Sequence, residues 1–395
     1  MEQTEYLLSR GVDTIYPTRK ELEKKLASGK KISLYLGVDP TGAQLHIGHT
    51  VALRKLAQFQ RAGHKVVLLI GDFTGRIGDP TGKDKTRKPL TAEQAIMNAK
   101  SYQEQASKIL DFNNKKNPVE IKYNSEWLAK LTFEQIIKLA AHFTAQQMLE
   151  RDMFEKRMKA GKPISLHEFF YPLMQGYDSV ALDVDLEIGG TDQTFNMLAG
   201  RTLQRVINKK EKFVLTVPIL ADSNGVKIGK TAGNVIAITA EPADLYGKIM
   251  SLGDDVIVQA FELCTDVEME EINQIEKNLK KGENPRDAKM RLAREIVTIY
   301  HNSDIAQVAE DDFKNVFTKH GKPTDIPEEK LPDSTDIIEI LITYKLAESK
   351  SAAKRLVEQG AVKLNDKAIS SWKEIVKIKS GDVLQVGKRK FLQFK

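Results

Sequence analysis

Hydrophobic positions along the chain alternate between two spacings, and that alternation predicts the fold class. The run 31–38 (KISLYLGV) is apolar and rich in strand formers, and it ends at Asp39, Pro40, Thr41 and Gly42, residues that stop a strand and turn the chain. From Ile47 to Phe59 the apolar residues Leu53, Leu56 and Phe59 fall at helical spacing, and Ala62 and Gly63 close the segment. The next run, 65–70 (KVVLLI), is unbroken, as expected of a strand buried on both faces of a parallel sheet. Strand, helix and strand with short connections predict a right-handed βαβ unit. Further strands are expected at 119–123, 182–188 and 213–218, separated by long helical stretches. The pattern is that of an α/β fold with a doubly wound parallel sheet, expected over 1–240, with a helical insertion at about 128–160.

Beyond residue 240 the pattern changes. The stretch 241–320 reads as helices alone, with Asn284 and Pro285 opening one whose Ala288, Leu292, Ile296 and Ile299 share a face. It is expected to be a separate all-α domain. The run 321–335 (GKPTDIPEEKLPDST) is rich in Pro and charge and is read as a linker. A short helix containing 351–358, then Gly360 and a β-rich run, predict a small α+β domain over 336–395.

Composition adds exclusions. The chain has 395 residues, 41% apolar and 29% charged, which excludes a disulfide mini-scaffold and a disordered chain. Its apolar runs fall far short of the roughly 18 residues a membrane helix needs, so no membrane span is expected. Cys264 is the only cysteine and the N-terminus carries no apolar leader, so a reducing cytoplasm is the expected location. The net charge of +6 is unevenly placed: residues 334–395 hold 13 Lys and Arg against 7 Asp and Glu, which leaves the rest neutral. A basic module on a neutral body points to a polyanionic partner, or else to a solvated lysine-rich surface.

Several chemistries can be set aside. There is no Gly-x-Gly pair, so the dinucleotide fingerprint is absent, and the Gly82-Lys83 pair lacks the first glycine and the hydroxyl of a phosphate loop. There is neither CxxC nor HExxH, so no zinc site is expected. What remains is His46-Ile47-Gly48-His49, just after a strand and at the start of a helix. Two imidazoles three residues apart, a glycine that admits a ligand, and the positive end of a helix dipole suit a triphosphate. A later turn carries Lys227-Ile228-Gly229-Lys230-Thr231, two ammonium groups and a hydroxyl on a loop suited to phosphate oxygens. Each element alone could be incidental. Their order around the sheet makes the pair informative.

Here the chain resembles the class I aminoacyl-tRNA synthetases, whose HIGH and KMSKS signatures match 46–49 and 227–231, and among them the bacterial tyrosyl-tRNA synthetases. The resemblance runs through YLGVDPTGAQLHIGH, GDFTGRIGDPTGKDKTR, YPLMQGYDS, IGGTDQTFN and KIGKT, nearly the whole chain. It implies a Rossmann-like catalytic domain in which Tyr35 and Asp178 hold the substrate phenol. Asp79, Tyr171 and Gln175 would hold the α-ammonium, with Thr74 near the ring and Gln193 beside the carboxyl. Gly37, Asp39, Gly190 and Asp192 would meet the adenosine. Thr41, His46, Gly48 and His49 would contact the triphosphate, while Lys83, Arg87, Lys227, Lys230 and Thr231 would close over the leaving pyrophosphate. The sequence departs from the family at KIGKT, at Glu187, where many relatives carry Gln, and at Thr194 and Phe195, where others place Trp and Gly.

The C-terminal run resembles a small RNA-binding domain first recognised in a ribosomal protein, and its helix would bring Lys350, Lys354 and Arg355 together. By resemblance, the reaction expected is activation of L-tyrosine with ATP and Mg2+ to tyrosyl-adenylate, followed by transfer to tRNA(Tyr), in a homodimer built on the insertion. No tightly bound cofactor is expected. Two other readings stand beside it: a tryptophanyl-tRNA synthetase, and a non-catalytic RNA-binding protein on the same scaffold.

Overall fold

Six strands form the central sheet: β1 (Thr14–Tyr16), β2 (Ser33–Val38), β3 (Lys65–Ile70), β4 (Glu120–Tyr123), β5 (Leu186–Gly190) and β6 (Phe213–Val217). The computed structural model describes residues 3–81, 90–150, 152–222, 224–228, 235–318, 326–332, 334–387 and 390–395. The order is β1-β6-β5-β2-β3-β4. Five of these strands run parallel, and β1 closes one edge antiparallel to β6. β3 spans the uninterrupted apolar run, and every residue after Lys65 in it is buried, because helices cover both faces. The strand expected over 182–188 begins at Leu186 instead. A helix holds the chain through Leu182, and Asp183 ends it in the left-handed region at φ 46°.

Chain order reverses around β2, which pairs with β3 on one side and β5 on the other. The loops leaving the C-terminal ends of β2 and β5 therefore diverge, opening the crevice where doubly wound sheets bind ligands. The helix Ile47–Arg61 follows β2 and packs on the sheet with Leu53, Leu56 and Phe59 buried. On the other side of the crevice the helices Tyr171–Leu182 and Thr194–Ile207 pack closely. A Cβ on Gly176 would lie 3.0 Å from the Leu203 side chain and 3.2 Å from the Gly200 backbone nitrogen, so only glycine permits the approach.

The insertion contains Phe133–Ala140, Ala145–Leu149 and Asp152–Lys159. Thr132 and Thr144 open the first two with capping boxes to Gln135 and Gln147. The buried Arg157 guanidinium donates to both Glu168 carboxylate oxygens, at 2.5 and 3.0 Å, which ties the third helix to the turn before Tyr171.

The chain divides into two units, Met1–Thr239 with Leu252–Ala288, and Ala240–Ser251 with Lys289–Lys395. The helical stretch 241–320 is thus split between units and does not stand as one body. The physical reason lies at the N-terminus. The Arg10 guanidinium donates to the carbonyls of Glu262, Thr265 and Val267 at 3.1, 2.7 and 2.7 Å, satisfying the C-terminal end of the helix Ile257–Cys264 from inside the first unit.

In the second unit a smaller sheet consists of β7 (Glu328–Glu329), β8 (Val362–Leu364), β9 (Lys367–Ala368), β10 (Val383–Val386) and β11 (Lys390–Phe394), in the order β7-β11-β10-β8-β9. The linker expected over 321–335 is therefore not wholly free, since β7 lies inside it and pairs in parallel with β11. Asn365 and Asp366 have φ of 48° and 68° and make the two-residue turn between β8 and β9. The helices Ile337–Thr343 and Lys350–Glu358 cover this sheet, burying Ile337, Leu341, Ala353, Val357, Leu384 and Phe394.

Candidate active site

A cavity of about 260 Å³ opens at the C-terminal ends of β2, β3, β5 and β6. One wall is the N-terminus of the helix Ile47–Arg61. His46 is its N-cap, and its Nδ1 accepts from the Gly48 nitrogen at 3.1 Å, while His49 Nδ1 accepts from the His46 nitrogen at 3.2 Å. The two rings stack with centroids 3.7 Å apart. Both imidazoles thus hold the first turn in shape, and both line the cavity at the positive end of the helix. Thr41 and Gly48 line the same wall. A Cβ on Gly48 would lie 3.1 Å from the His46 ring and 3.4 Å from the Ile228 carbonyl, so this glycine lets the Lys227-Ile228 segment pass close to the helix start.

That segment also lines the cavity, beside the helix start. Lys227 Nζ reaches Asp192 Oδ2 at 2.8 Å, a half-exposed pair of the kind worth less than about 1 kcal/mol. A contact that weak yields readily to a phosphate. Asp192 follows Gly190 at the end of β5, and a Cβ on Gly190 would stand 2.8 Å from the Asp192 carboxylate. Lys83, Arg87, Lys230 and Thr231, the other expected pyrophosphate contacts, lie outside the described residues.

The floor is a network of paired polar side chains. Asp39, just past β2, accepts from the Thr74 hydroxyl at 2.7 Å and the Tyr171 hydroxyl at 2.9 Å. Burial, with Asp39 and Asp79 nearby, pushes the Tyr171 pKa well above the ordinary phenol value, so this hydroxyl stays protonated and donates. Asp79 accepts from Gln193 Nε2 at 2.8 Å, and Gln175 Nε2 donates to Glu187 Oε1 at 3.1 Å. Asp79 and, from one helix, Tyr171 and Gln175 thus converge on the cavity from two segments, each already engaged.

Asp178 is buried, 3% exposed, on the helix Tyr171–Leu182. Trp127 Nε1 donates to its Oδ1 at 2.7 Å and Asn124 Nδ2 to its Oδ2 at 3.3 Å. Burial pushes this carboxyl well above the ordinary carboxylate range, against the pull of the two N–H donors. Tyr35 is fully buried beneath the cavity, with its hydroxyl 3.0 Å from Ser179 Oγ. Tyr35 and Glu187 are cross-strand partners in β2 and β5, so their side chains share one face of the sheet.

Sequence reasoning missed Asn124, Trp127, Ser179 and Lys212. Ser179 closes the segment YPLMQGYDS but nothing there gives it a role, and no motif marks the other three; each matters only because the fold places it beside a residue far away in sequence. Glu187 carried one signal, a charged residue in an otherwise apolar strand.

In the second unit Lys350, Lys354 and Arg355 are all exposed on the helix Lys350–Glu358. Trp372, which the sequence reading passed over, lies beside them, with Lys354 Nζ 4.1 Å and Lys373 Nζ 5.1 Å from its ring centre. These are cation–π contacts, and the Trp372 ring itself packs against the core of this unit.

Comparison with known proteins shows the family. A family model for class I tRNA synthetases (W and Y) matches residues 27–318, and one for the tyrosine–tRNA ligase SYY-like C-terminal domain matches 318–392. The chain is 48% identical to the tyrosine–tRNA ligase of Moorella thermoacetica over 391 residues, covering 98% of this chain and 94% of that one. It is also 48% identical to the tyrosine–tRNA ligase of Carboxydothermus hydrogenoformans, over 98% of this chain and 96% of that one. Among solved structures it resembles a C-terminally truncated mitochondrial tyrosyl-tRNA synthetase of Aspergillus nidulans, with a TM-score of 0.66, 25% identity, and coverage of 80% of this chain and 94% of that one. Matched nearly end to end by such relatives, and by both family models in succession, the chain belongs to the class I tRNA synthetases and, within them, to the tyrosine–tRNA ligase family.

Proposed function

We propose that this chain carries out the tyrosine–tRNA ligase reaction in the cavity at the ends of β2 and β5. The observation that carries this reading is the polarity of the cavity: the helix start with its two imidazoles and the Lys227 ammonium on one side, and a buried carboxylate held by two N–H donors on the other. L-tyrosine enters with its phenol toward Tyr35 and Asp178 and its α-ammonium toward Asp79, Tyr171 and Gln175. Thr74 borders the ring and Gln193 the carboxylate. ATP lies across Gly37, Asp39, Gly190 and Asp192, with its phosphates against Thr41, His46, Gly48 and His49. It arrives as its Mg2+ complex, the cation held by phosphate oxygens and water. Zinc is given no role.

The tyrosine carboxylate attacks the α-phosphorus, forming a carboxyl–phosphate bond as the bond to pyrophosphate breaks. The nucleophile is already an anion, so no general base is needed, and rate comes from positioning and from donors aimed at the growing phosphate charge. Lys83, Arg87, Lys227, Lys230 and Thr231 close over the departing pyrophosphate. The tyrosyl group then passes to a ribose hydroxyl of the terminal adenosine of tRNA(Tyr), which Lys350, Lys354 and Arg355 help to hold.

Exchange of labelled pyrophosphate into ATP, with each amino acid offered singly, tests the activation step. Tyrosine alone should support it. Exchange with tryptophan in its place would favour the closest rival, and no exchange at all would leave an RNA-binding protein on this scaffold.

The insertion carries exposed apolar side chains, Phe133 at 77%, Ile137 at 54% and Met158 at 53%. Such a patch is the expected seat of a second copy of the chain. Sedimentation at micromolar concentration should give a dimer, and Phe133→Glu a monomer; a monomeric wild type would refute the assignment. No described helix is long and apolar enough to cross a membrane. The proposed place of action is the cytoplasm, where a tRNA ligase meets its tRNA and ATP.

A further inference from the structure

Behind Tyr35 lies a buried ion pair that the roles above leave unused. Lys212, just before β6, has no solvent exposure, and Glu187 is 1% exposed. The Lys212 ammonium donates to Glu187 Oε2, to Ser179 Oγ at 2.6 Å and to the Met197 carbonyl at 3.1 Å. An ammonium has three protons and no acceptor, so all three are spent. Space for it is specific: a Cβ on Gly200, in the facing helix, would stand 2.6 Å from both Lys212 Nζ and Ser179 Oγ. A buried pair of this kind is expensive to desolvate and gives little net stability, so its presence beside a substrate pocket calls for a functional reason.

The donor inventory supplies one. Because Lys212 can only donate, Ser179 Oγ must accept from it. The Ser179 proton then has two acceptors within reach, the Tyr35 oxygen at 3.0 Å and Glu187 Oε2 at 3.4 Å. The second is more distant and already takes the Lys212 contact. With the proton given to Tyr35, the Tyr35 hydroxyl is left to donate; Glu187 is an acceptor beside it, but its two oxygens already take Gln175 and Lys212, so the substrate oxygen is the better acceptor. We propose that Ser179, held by Lys212, is a positioning residue for substrate choice: it fixes Tyr35 as a hydrogen-bond donor toward the para oxygen of tyrosine, while the substrate hydroxyl donates to Asp178. This rests on the reading that the phenol lies between Tyr35 and Asp178. Burial, with Glu187 and Asp178 nearby, pushes the Tyr35 pKa well above the ordinary phenol value, so its proton is retained.

The test is a double-mutant cycle of Ser179→Ala and Tyr35→Phe on the full chain, reading kcat/KM in pyrophosphate exchange for tyrosine and for phenylalanine. Ser179→Ala should lower the tyrosine-to-phenylalanine ratio by about 2- to 12-fold, the worth of one hydrogen bond, and should add nothing once Tyr35 is Phe. A merely structural serine would lower both substrates alike and leave the ratio where it was. If Tyr35→Phe changes the ratio and Ser179→Ala does not, or if the two effects add, the inference is overturned. If Tyr35→Phe itself leaves the ratio unchanged, the underlying placement of the phenol fails instead, and the inference falls with it. Should Ser179→Ala not fold, Ser179→Cys keeps the volume with only a weak S–H donor and should show the same fall.

Discussion

Replacing Asp178 by Asn tests the buried end of the site. The carboxylate offers acceptors on both oxygens, and each is used: Trp127 Nε1 donates to one at 2.7 Å and Asn124 Nδ2 to the other at 3.3 Å. An asparagine has one oxygen and one NH2 group. Whichever way it turns, its NH2 faces an N–H. The less damaging orientation keeps the oxygen on Trp127, because Asn124 still donates to the Thr74 hydroxyl at 2.9 Å. The substrate hydroxyl then meets a neutral and partly mismatched group in place of a charged acceptor. Loss of a hydrogen bond to a charged partner costs about 1.5–3 kcal/mol, or roughly a 10- to 150-fold fall in kcat/KM for tyrosine in pyrophosphate exchange. Phenylalanine has no hydroxyl to lose, so its kcat/KM should change much less and the ratio should narrow. Tyr35→Phe removes one bond between neutral groups, and Ser179 keeps Lys212 as a donor and Glu187 as an acceptor, so about 0.5–1.5 kcal/mol is expected there. A ratio unchanged in Asp178→Asn would refute the placement of the phenol.

The same variant makes a signed prediction about pH. An unfolded aspartate titrates near 3.9, whereas burial raises Asp178 in the folded chain. Between those values the native state holds a proton that the unfolded state has lost. This group's contribution to stability is therefore complete below about pH 3.9 and is lost as pH rises through the folded value. The asparagine of the variant has no such proton. The Tm of wild type minus that of the variant should fall as pH is raised from about 4 and level off once Asp178 is ionised in the folded chain, the state in which pyrophosphate exchange reads it. A difference that grows with pH would contradict the burial argument.

Two further outcomes bear on the phosphate end and on the second unit. His49→Ala should slow adenylate formation by about 10²-fold or more with little change in the tyrosine KM, since the imidazole acts on charge that grows in the transition state. It should also cost about 1 kcal/mol of stability, because His49 Nδ1 caps the His46 nitrogen; wild-type single-turnover adenylation would remove His49 from the site. A chain ending at Thr318 should still form tyrosyl-adenylate but bind tRNA more weakly and with a flatter salt dependence, because the basic excess lies beyond that point. Equal aminoacylation by the two chains would contradict this.

What the sequence determined by itself is local. The run KVVLLI becomes β3 without adjustment, because five apolar residues in a row are stable in a strand only where both faces are covered. The two histidines announce a helix start, and the structure places them there because their ring nitrogens cap its first turn. The boundaries that failed depend on contacts made elsewhere. Arg10 draws the helix Ile257–Cys264 into the first unit across more than 250 residues of chain, and Glu328–Glu329 becomes a strand only because β11 offers it a free edge. The same holds inside the pocket. Asp178 could be read as an expensive buried carboxylate, yet its partners Asn124 and Trp127 follow β4, 54 and 51 residues earlier, and Lys212 reaches Ser179 from 33 residues later. Nothing in their spacing marks them, since a hydrogen bond between distant segments has no period along the chain. Only the tertiary structure, by laying β2 between β3 and β5, brought those side chains to one place and decided which proton each would hold.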